Sequence, residues 1–498
     1  MTKQLAPVMG ERAAFALDLC HVSRYTVCRY GNDEETMEAA RRSISYWHDS
    51  LPAGDLSALR SQLPGNVDAD VAIVGGGFTG LWTAYYLAKR DPSLRIVVLE
   101  KEFAGFGASG RNGGWASGFL PTSWEQIAKE SSREATLRLQ LAADESIDEV
   151  GKVAADEGID GHFAKGGYLR VATSPLQWNR LNAQLAHARQ WDRSEDDLML
   201  LDRNEARGRV NADGVFGGLY TPHCAAIHPA RMVRGLASAA ERLGVTIYEG
   251  TAVIAIEPGI VRTDHGDVRA EIVVRALEGY TSTLPHYRRA LTPIYSLMIA
   301  TEPIDESIWD EIGWRERETL NDDRRFIVYA QRTADGRIAI GGRGAPYHWG
   351  SKIDPAFEHP RGVHESLHRT LVGLFPALRE VAVTHRWGGV LGVPRDWFPS
   401  VRLDRSTGLA TAGGYAGDGV TLTNLAGRTL ADLITGTDSD LTTLPWVGRE
   451  SRAFEPEPLR FVGINAGFRL ADWVDRREQS TGRPARVLDK ALDLLAGH

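Results

Sequence analysis

The chain has 498 residues and a formal net charge of −8, from 57 Lys and Arg against 65 Asp and Glu. With 43% hydrophobic and 24% charged residues it is a globular chain, too long for one ordinary core. It shows no basic block, no apolar run of ~20 residues and no disulfide framework. Nucleic acid and membrane are therefore excluded as expected partners, and a reducing cytoplasm is the expected compartment.

Residues 1–43 have no clear period and read as a poorly ordered leader, with Met37 as an alternative natural start. Residues 13–19 are too short, and too polar at Asp18, for a signal peptide. Cys20, Cys28 and Cys224 have no C-x-x-C spacing. Ser45-Tyr46-Trp47 and Leu51-Pro52 are expected to pack onto the body, and residues 56–63 to form a short helix. Val71-Ala72-Ile73-Val74 is an apolar run suited to a buried parallel strand. Gly75, Gly77 and Gly80 then fit G-x-G-x-x-G. The first glycine allows a tight turn, the second admits a pyrophosphate to the backbone, and the third lets the helix pack close. Residues 81–90 read as that helix, whose N-terminus favours phosphate. A second apolar strand over 96–99 ends in Glu100, at the spacing of a ribose-binding acid. In this order the signals predict a dinucleotide site, where a bare glycine motif would equally suit a turn that binds nothing.

Helical sequence runs over 124–157. Residues 167–172 alternate as a strand, 175–191 form an amphipathic helix with Trp178, Leu181 and Leu185 on one face, and 200–205 read as a strand entering a helix cap. Gly217-Gly218-Leu219-Tyr220 is a strand or turn, and His228-Pro229 opens a helix to about residue 243. Strands follow over 244–249, 251–256 and 271–276, with a hairpin turning at Gly266. Three more strands, over 294–301, 326–330 and 338–342, predict a second, largely antiparallel sheet; Asp335-Gly336 turns between the last two. A helix over 364–375 is stopped by Pro376 and followed by a strand over 381–387. Residues 408–420 repeat the pattern of strand, glycine turn and helix start, and 444–498 read as a helical tail. Two glycine-rich helix N-termini in one chain suit a ligand with both a pyrophosphate and a polar ring.

Several motifs recur in a specific order. They are Gly75 to Gly80 with Glu100, Gly107-Ala108-Ser109-Gly110-Arg111-Asn112-Gly113-Gly114, Ile227-His228-Pro229, Glu278-Gly279-Tyr280-Thr281, Trp387-Gly388-Gly389 with Asp396 and Pro399, and Gly414-Tyr415-Ala416-Gly417-Asp418-Gly419-Val420. Together they resemble the D-amino-acid-oxidase-like family of FAD-dependent oxidoreductases, closest to its branch of gamma-glutamylputrescine oxidases. The resemblance implies an α/β fold over about 44–440. A Rossmann-type FAD-binding domain would come from segments near 65–125, 215–285 and 385–440. A substrate domain with a mainly antiparallel sheet and helices would come from 160–215 and 286–384, leaving a tail from 441. It also implies that Gly75, Gly77, Phe78, Thr79 and Gly80 hold the pyrophosphate, that Glu100 and Lys101 lie at the adenosine ribose, and that Val253 touches the adenine side. Ser109, Arg111, Asn112, Gly113 and Gly114 would run beside the isoalloxazine. Glu278 and Gly279, with Gly417, Asp418, Gly419 and Val420 at the late helix, complete the implied FAD contacts. Because residues 415–419 contain no Cys and 109–115 no His, non-covalent FAD is expected.

The implied chemistry is oxidation of a small amine or amino acid: hydride transfer from the carbon of a C–N bond gives an imine, then a carbonyl, with molecular oxygen reduced to hydrogen peroxide. A dehydrogenase using another acceptor and a non-catalytic flavin-binding protein are the alternatives. An NAD-only dehydrogenase would leave the 415–420 motif unexplained. Tyr329, Arg343, Trp387 and Tyr415, with Tyr347, are the candidate substrate residues; core packing is the competing reading for the aromatics. Arg343 suits bidentate pairing with a substrate carboxylate, against an ordinary salt bridge. Arg111 and Asn112 are weighed against loop-stabilising hydrogen bonds, and Lys165 against a solvated lysine. His364-Glu365-Ser366-Leu367-His368 matches the zinc pattern H-E-x-x-H. A solvated helix face explains it, and no metal is expected.

Overall fold

The computed structural model describes residues 34–324, 328–343 and 346–481. Two large sheets organise them. In the first, Val67–Val74 lies at the centre, parallel to Ile96–Leu99 on one side and Asp267–Arg275 on the other. Thr246–Tyr248 extends the parallel set beyond Ile96–Leu99, and Leu409–Gly413 extends it beyond Asp267–Arg275. Ser400–Asp404 closes one edge antiparallel, and the hairpin strands Val253–Glu257 and Ile260–Thr263 flank the start of Asp267–Arg275. The central strand is buried from Val71 to Val74, as a strand covered on both faces must be.

The helix Phe78–Arg90 is buried at every position from Phe78 to Ala88. The later helix Gly419–Thr435 crosses it closely: a Cβ at Gly427 would lie 2.6 Å from the Trp82 Cβ. Leu81, Trp82, Tyr85, Leu422, Leu425 and Leu430 share the core between them. This helix pair joins the early and late thirds of the chain into one domain.

The second sheet runs Val383–Val393, Thr292–Thr301, Ile338–Arg343, Val328–Arg332, Thr319–Asn321, Tyr168–Ala172, Gly217–Thr221 and Met199–Leu201. Its ladders are antiparallel except between Thr319–Asn321 and Tyr168–Ala172. Thr292–Thr301 is buried throughout, sandwiched between neighbours on both sides. Two expected boundaries move: Gly217–Thr221 and most of Val383–Val393 fall within segments given to the FAD domain, yet both are strands of the second sheet. Their glycine-rich, apolar sequences suit either sheet, so pattern alone does not assign them.

Other differences have local causes. The single helix expected over 124–157 is two, Trp124–Glu130 and Arg133–Asp156, because Ser132 caps the second by accepting from the Ala135 amide. No helix forms over 56–63. There the backbone carbonyls of Leu56 and Ser57 accept from Arg41, and that of Asp55 from Arg234. Within the expected leader, Glu34–Arg42 is a helix whose Arg42 donates to the carbonyls of Asp49, Leu51 and Pro52. The rest of the leader, with Cys20 and Cys28, lies outside the described residues, as do Phe326 and Ile327 of the expected strand over 326–330. In the tail, the helix Leu459–Thr481 packs Phe461, Ile464 and Phe468 on Ile294, Tyr347, Val393 and Ala416. Among the described residues no helix is long and apolar enough to cross a membrane.

Candidate active site

The turn after Val67–Val74 is built for close approach. Gly75 has φ +114°, and a Cβ there would sit 2.5 Å from the Ala276 carbonyl oxygen. A Cβ at Gly80 would sit 2.1 Å from the Gly75 carbonyl oxygen, and one at Gly77 would sit 2.9 Å from Ser109 Oγ. Gly77 opens the helix Phe78–Arg90 without a side-chain cap, while the Phe78 amide donates to Ser109 Oγ at 2.8 Å. The turn thus sets a helix N-terminus with no cap of its own, its first amide held by Ser109, beside the short helix Ala108–Arg111.

Glu100 stands at the end of Ile96–Leu99, where it accepts from the amides of Gly76 (2.8 Å) and Glu102 (2.9 Å). Desolvation pushes its carboxyl up to about 7 despite those two amides. A folded value above the unfolded one gives stability that is fully present below about 4.5 and lost as pH rises through about 7. The Tm of the apoprotein is therefore expected to fall relative to that of Glu100→Gln between about pH 5 and about pH 8. A constant gap between the two melting curves would remove this role for Glu100.

The late glycine turn is held by Glu278, which adopts φ +45° and accepts from the amides of Gly414 (2.9 Å) and Tyr415 (3.2 Å). Burial pushes its carboxyl up to about 7. Gly417 has φ +114°, and Gly419–Thr435 begins after Asp418 without a side-chain cap. The second glycine-rich helix N-terminus is thus present, joined to the first turn by the Thr79 hydroxyl donating to Tyr415 Oη at 3.3 Å.

Between these turns and the second sheet runs the loop 111–114. Tyr329 packs against it: a Cβ at Gly113 would lie 2.5 Å from the Tyr329 ring. The Tyr329 hydroxyl pairs with Ser296 Oγ at 2.5 Å. Trp115 stands edge-on to Tyr329, with ring centroids 5.9 Å apart, and lies 5.2 Å from Tyr168, which meets Phe119 at 5.0 Å. This aromatic wall lines the side of the loop that faces the second sheet. Arg343 ends its strand opposite Ser296 in the ladder; its side chain lies outside the described residues.

Several of the expected contact residues also have partners within the chain. The Arg111 guanidinium is buried and bonds both carboxylate oxygens of Glu358 at 2.9 Å, with Nε on the Phe106 carbonyl at 2.6 Å. The Asn112 side chain closes its own turn through the carbonyls of Ala108 and Ser109 and the amide of Gly114. Loop stabilisation therefore describes both side chains. Lys101 is exposed beside Glu102, and Val253 packs with the core under the first sheet. Trp387 and Tyr347 are enclosed: Trp387 donates to the Arg111 carbonyl, and Tyr347 bonds Ser351 and Glu457. Tyr415 is equally buried, in the core of the first domain. Lys165 pairs with Asp148 at 2.5 Å. His364 is buried rather than solvated, because it continues the inward stripe of Leu367, Leu371 and Leu374; burial lowers its pKa to about 4. Sequence reading missed Trp47, Glu358 and Gln331, which reach this loop from distant segments.

The residues present fit FAD. The glycine turn has room for backbone approach and none for a Cβ, an acid stands at the end of the second strand, and a second bare helix N-terminus lies beyond the loop. A family model described as FAD dependent oxidoreductase (DAO) matches residues 70–433. The chain is 31% identical over 388 residues to a probable oxidoreductase, OrdL, of Rhizobium meliloti (strain 1021), covering 77% of this chain and 86% of that protein. It is 32% identical over 378 residues to gamma-glutamylputrescine oxidoreductase of Escherichia coli (strain K12), covering 74% and 84%. Among solved structures, glycine oxidase from Geobacillus kaustophilus superposes with a TM-score of 0.64 at 22% identity, over 78% of this chain and 100% of that one. The glycine turns, the two-sheet fold and the match over most of the chain together place this protein in the DAO family of FAD-dependent oxidoreductases.

Proposed function

We propose that this enzyme oxidises a small amine or amino acid, with molecular oxygen as the electron acceptor, non-covalent FAD and a cytoplasmic location. The observation that carries the reading is the packing of the second sheet directly on the loop 111–114, through Tyr329 against Gly113 and edge-on to Trp115 just beyond the loop. Relatives named gamma-glutamylputrescine oxidoreductase and glycine oxidase support the substrate class. Bound FAD supplies a two-electron acceptor for hydride from a C–N carbon.

The chain's own residues bind and orient. Gly75 to Gly80 and Glu100 would hold the adenosine diphosphate half of the cofactor, and the loop 111–114 with residues 417–420 the ring half. The faces of Tyr329, Trp115 and Tyr168 suit a cationic or alkyl amine. Ser296 fixes the Tyr329 hydroxyl, and Arg343, at the end of the neighbouring strand, is the proposed partner for a substrate carboxylate. No side chain is required as a base, so positioning is the main contribution. Cys224, buried and bonded by Thr319 with its thiol pushed up to about 12, is poorly placed to link a flavin.

An anaerobic screen of the purified holoenzyme against polyamine derivatives, N-methylated amino acids and simple amino acids is expected to bleach the oxidised flavin with at least one member. One peroxide should form per substrate when oxygen is admitted. Bleaching by none of the panel would overturn the substrate class, and bleaching without peroxide would assign a dehydrogenase.

A further inference from the structure

Every carbonyl of residues 111–114 is taken by a donor from elsewhere in the chain, a side chain in each case and, for Gly114, the Ile227 backbone amide at 2.8 Å as well. Trp387 Nε1 donates to the Arg111 carbonyl at 2.9 Å and Trp47 Nε1 to the Asn112 carbonyl at 2.8 Å. The Gln331 amide nitrogen donates to the Gly113 carbonyl at 2.7 Å and the Gly114 carbonyl at 3.1 Å. The three donors come from separate places: the short helix Tyr46–Asp49, the strand Val328–Arg332 and the strand Val383–Val393. All are buried, Trp47 at 1% exposure and the other two at 0%.

Loops ordinarily leave their carbonyls to water, so a four-residue stretch with every carbonyl held by a buried donor has its conformation imposed from outside. Gly114 shows how tightly: it adopts φ +70°, and a Cβ there would fall 1.9 Å from the Gln331 amide nitrogen. The two indoles also brace each other, edge to face at 6.3 Å. Trp47 lies before the 70–433 stretch that matches the family, within a segment that also reaches the second sheet through Tyr46 Oη and Asp335 (2.5 Å). Ser50 and His228 tie the same segment to the first domain at 2.9 Å.

We propose that Trp47, Trp387 and Gln331 are positioning residues that hold the loop in the shape that receives the isoalloxazine ring. The proposal rests on the reading that this loop borders the ring. Removing one indole N–H takes away the side-chain donor to a loop carbonyl, buried at Arg111 and half-buried at Asn112, and frees the loop to turn away.

The test compares Trp47→Phe and Trp387→Phe holoenzymes with wild type, since each keeps a ring and loses only the N–H. Each is expected to bind FAD about tenfold more weakly, by titration of apoprotein, and to change the visible circular dichroism of the bound flavin. Trp446→Phe is the control: Trp446 is just as buried, its N–H has no partner among the described residues, and it lies in the core of the first domain. It is expected to alter melting while leaving the flavin dichroism and the FAD affinity as in wild type. Wild-type dichroism and affinity in Trp47→Phe would overturn the proposal, as would an equal change in Trp446→Phe. If Trp387→Phe does not fold, Trp47→Phe decides alone. A wild-type flavin that no amine bleaches would defeat the substrate reading without touching this comparison.

Discussion

Arg111→Met is expected to destabilise the protein by about 3–5 kcal/mol and to lose most of its bound flavin. Arg111 and Glu358 are both nearly inaccessible, at 4% and 6% exposure, and are joined through both carboxylate oxygens at 2.9 Å. Desolvation already raises the Glu358 carboxyl, and the Arg111 charge is the main influence opposing it. Without the guanidinium, a buried carboxylate stands alone and must either stay charged at great cost or take up a proton near neutral pH. The Phe106 carbonyl loses its donor as well, so the backbone on both sides of Ala108–Arg111 loosens. Urea denaturation reads the loss of stability, and flavin absorbance per mole of protein reads the loss of cofactor. Arg111→Met with Glu358→Leu discriminates between mechanisms. If the orphaned charge is the cause, the double variant recovers much of the loss, because apolar replacements of a buried pair are often tolerated. A double variant no more stable than the single one would show that Arg111 matters through its contacts with Phe106 instead.

Gly75→Ala is expected to abolish stoichiometric FAD. The added methyl would lie 2.5 Å from the Ala276 carbonyl oxygen and 3.1 Å from its carbon, both backbone atoms that cannot rotate away. The residue would also have to hold φ +114°, a region that costs an L-residue about 1–3 kcal/mol. Relaxing the clash pushes Asp267–Arg275 away from Val67–Val74, or turns the peptide that orients the helix N-terminus. FAD affinity is expected to fall at least about a hundredfold, equivalent to about 2.7 kcal/mol. An apoprotein titration that returned a wild-type Kd would show that the turn does not carry the pyrophosphate. Gly244→Ala is the comparison, since it too has positive φ (+95°) but a Cβ there would meet nothing within 4 Å.

How far the site could be read in advance follows the reach of its bonds. The early turn was legible because its parts lie close in sequence: three glycines, a helix start and an acid within one strand–helix–strand unit. The late glycine turn and the Asp335-Gly336 hairpin were legible for the same reason. For Arg111 and Asn112 the sequence left flavin contact and loop-stabilising hydrogen bonds as alternatives, and the partner that holds Arg111 could not be read locally because it lies 247 residues away. Trp47 was legible only as a residue that packs onto the body, and Gln331 not at all: an indole in an N-terminal segment and an amide on an antiparallel strand carry no sign of one loop until the fold brings their N–H groups to it. His364 was legible in principle, since its spacing to Leu367, Leu371 and Leu374 places it on the apolar stripe, whereas the charged neighbours of the H-E-x-x-H pattern suggested a solvated face. The second sheet was legible as a type and not at its borders, where glycine-rich strands fit either domain.

The sharing of one loop among residues 47, 331 and 387 also sets an order of events during synthesis. A chain leaving the ribosome has its glycine turn early, but the strand Asp267–Arg275 that completes the central sheet emerges much later, and the last donor to the loop later still. The loop is therefore without its full set of donors through most of translation. On the proposal that this loop borders the ring, a chain stalled before residue 387 is expected to carry the glycine turn without the last side chain that holds the loop, and flavin is expected to enter a nearly complete polypeptide.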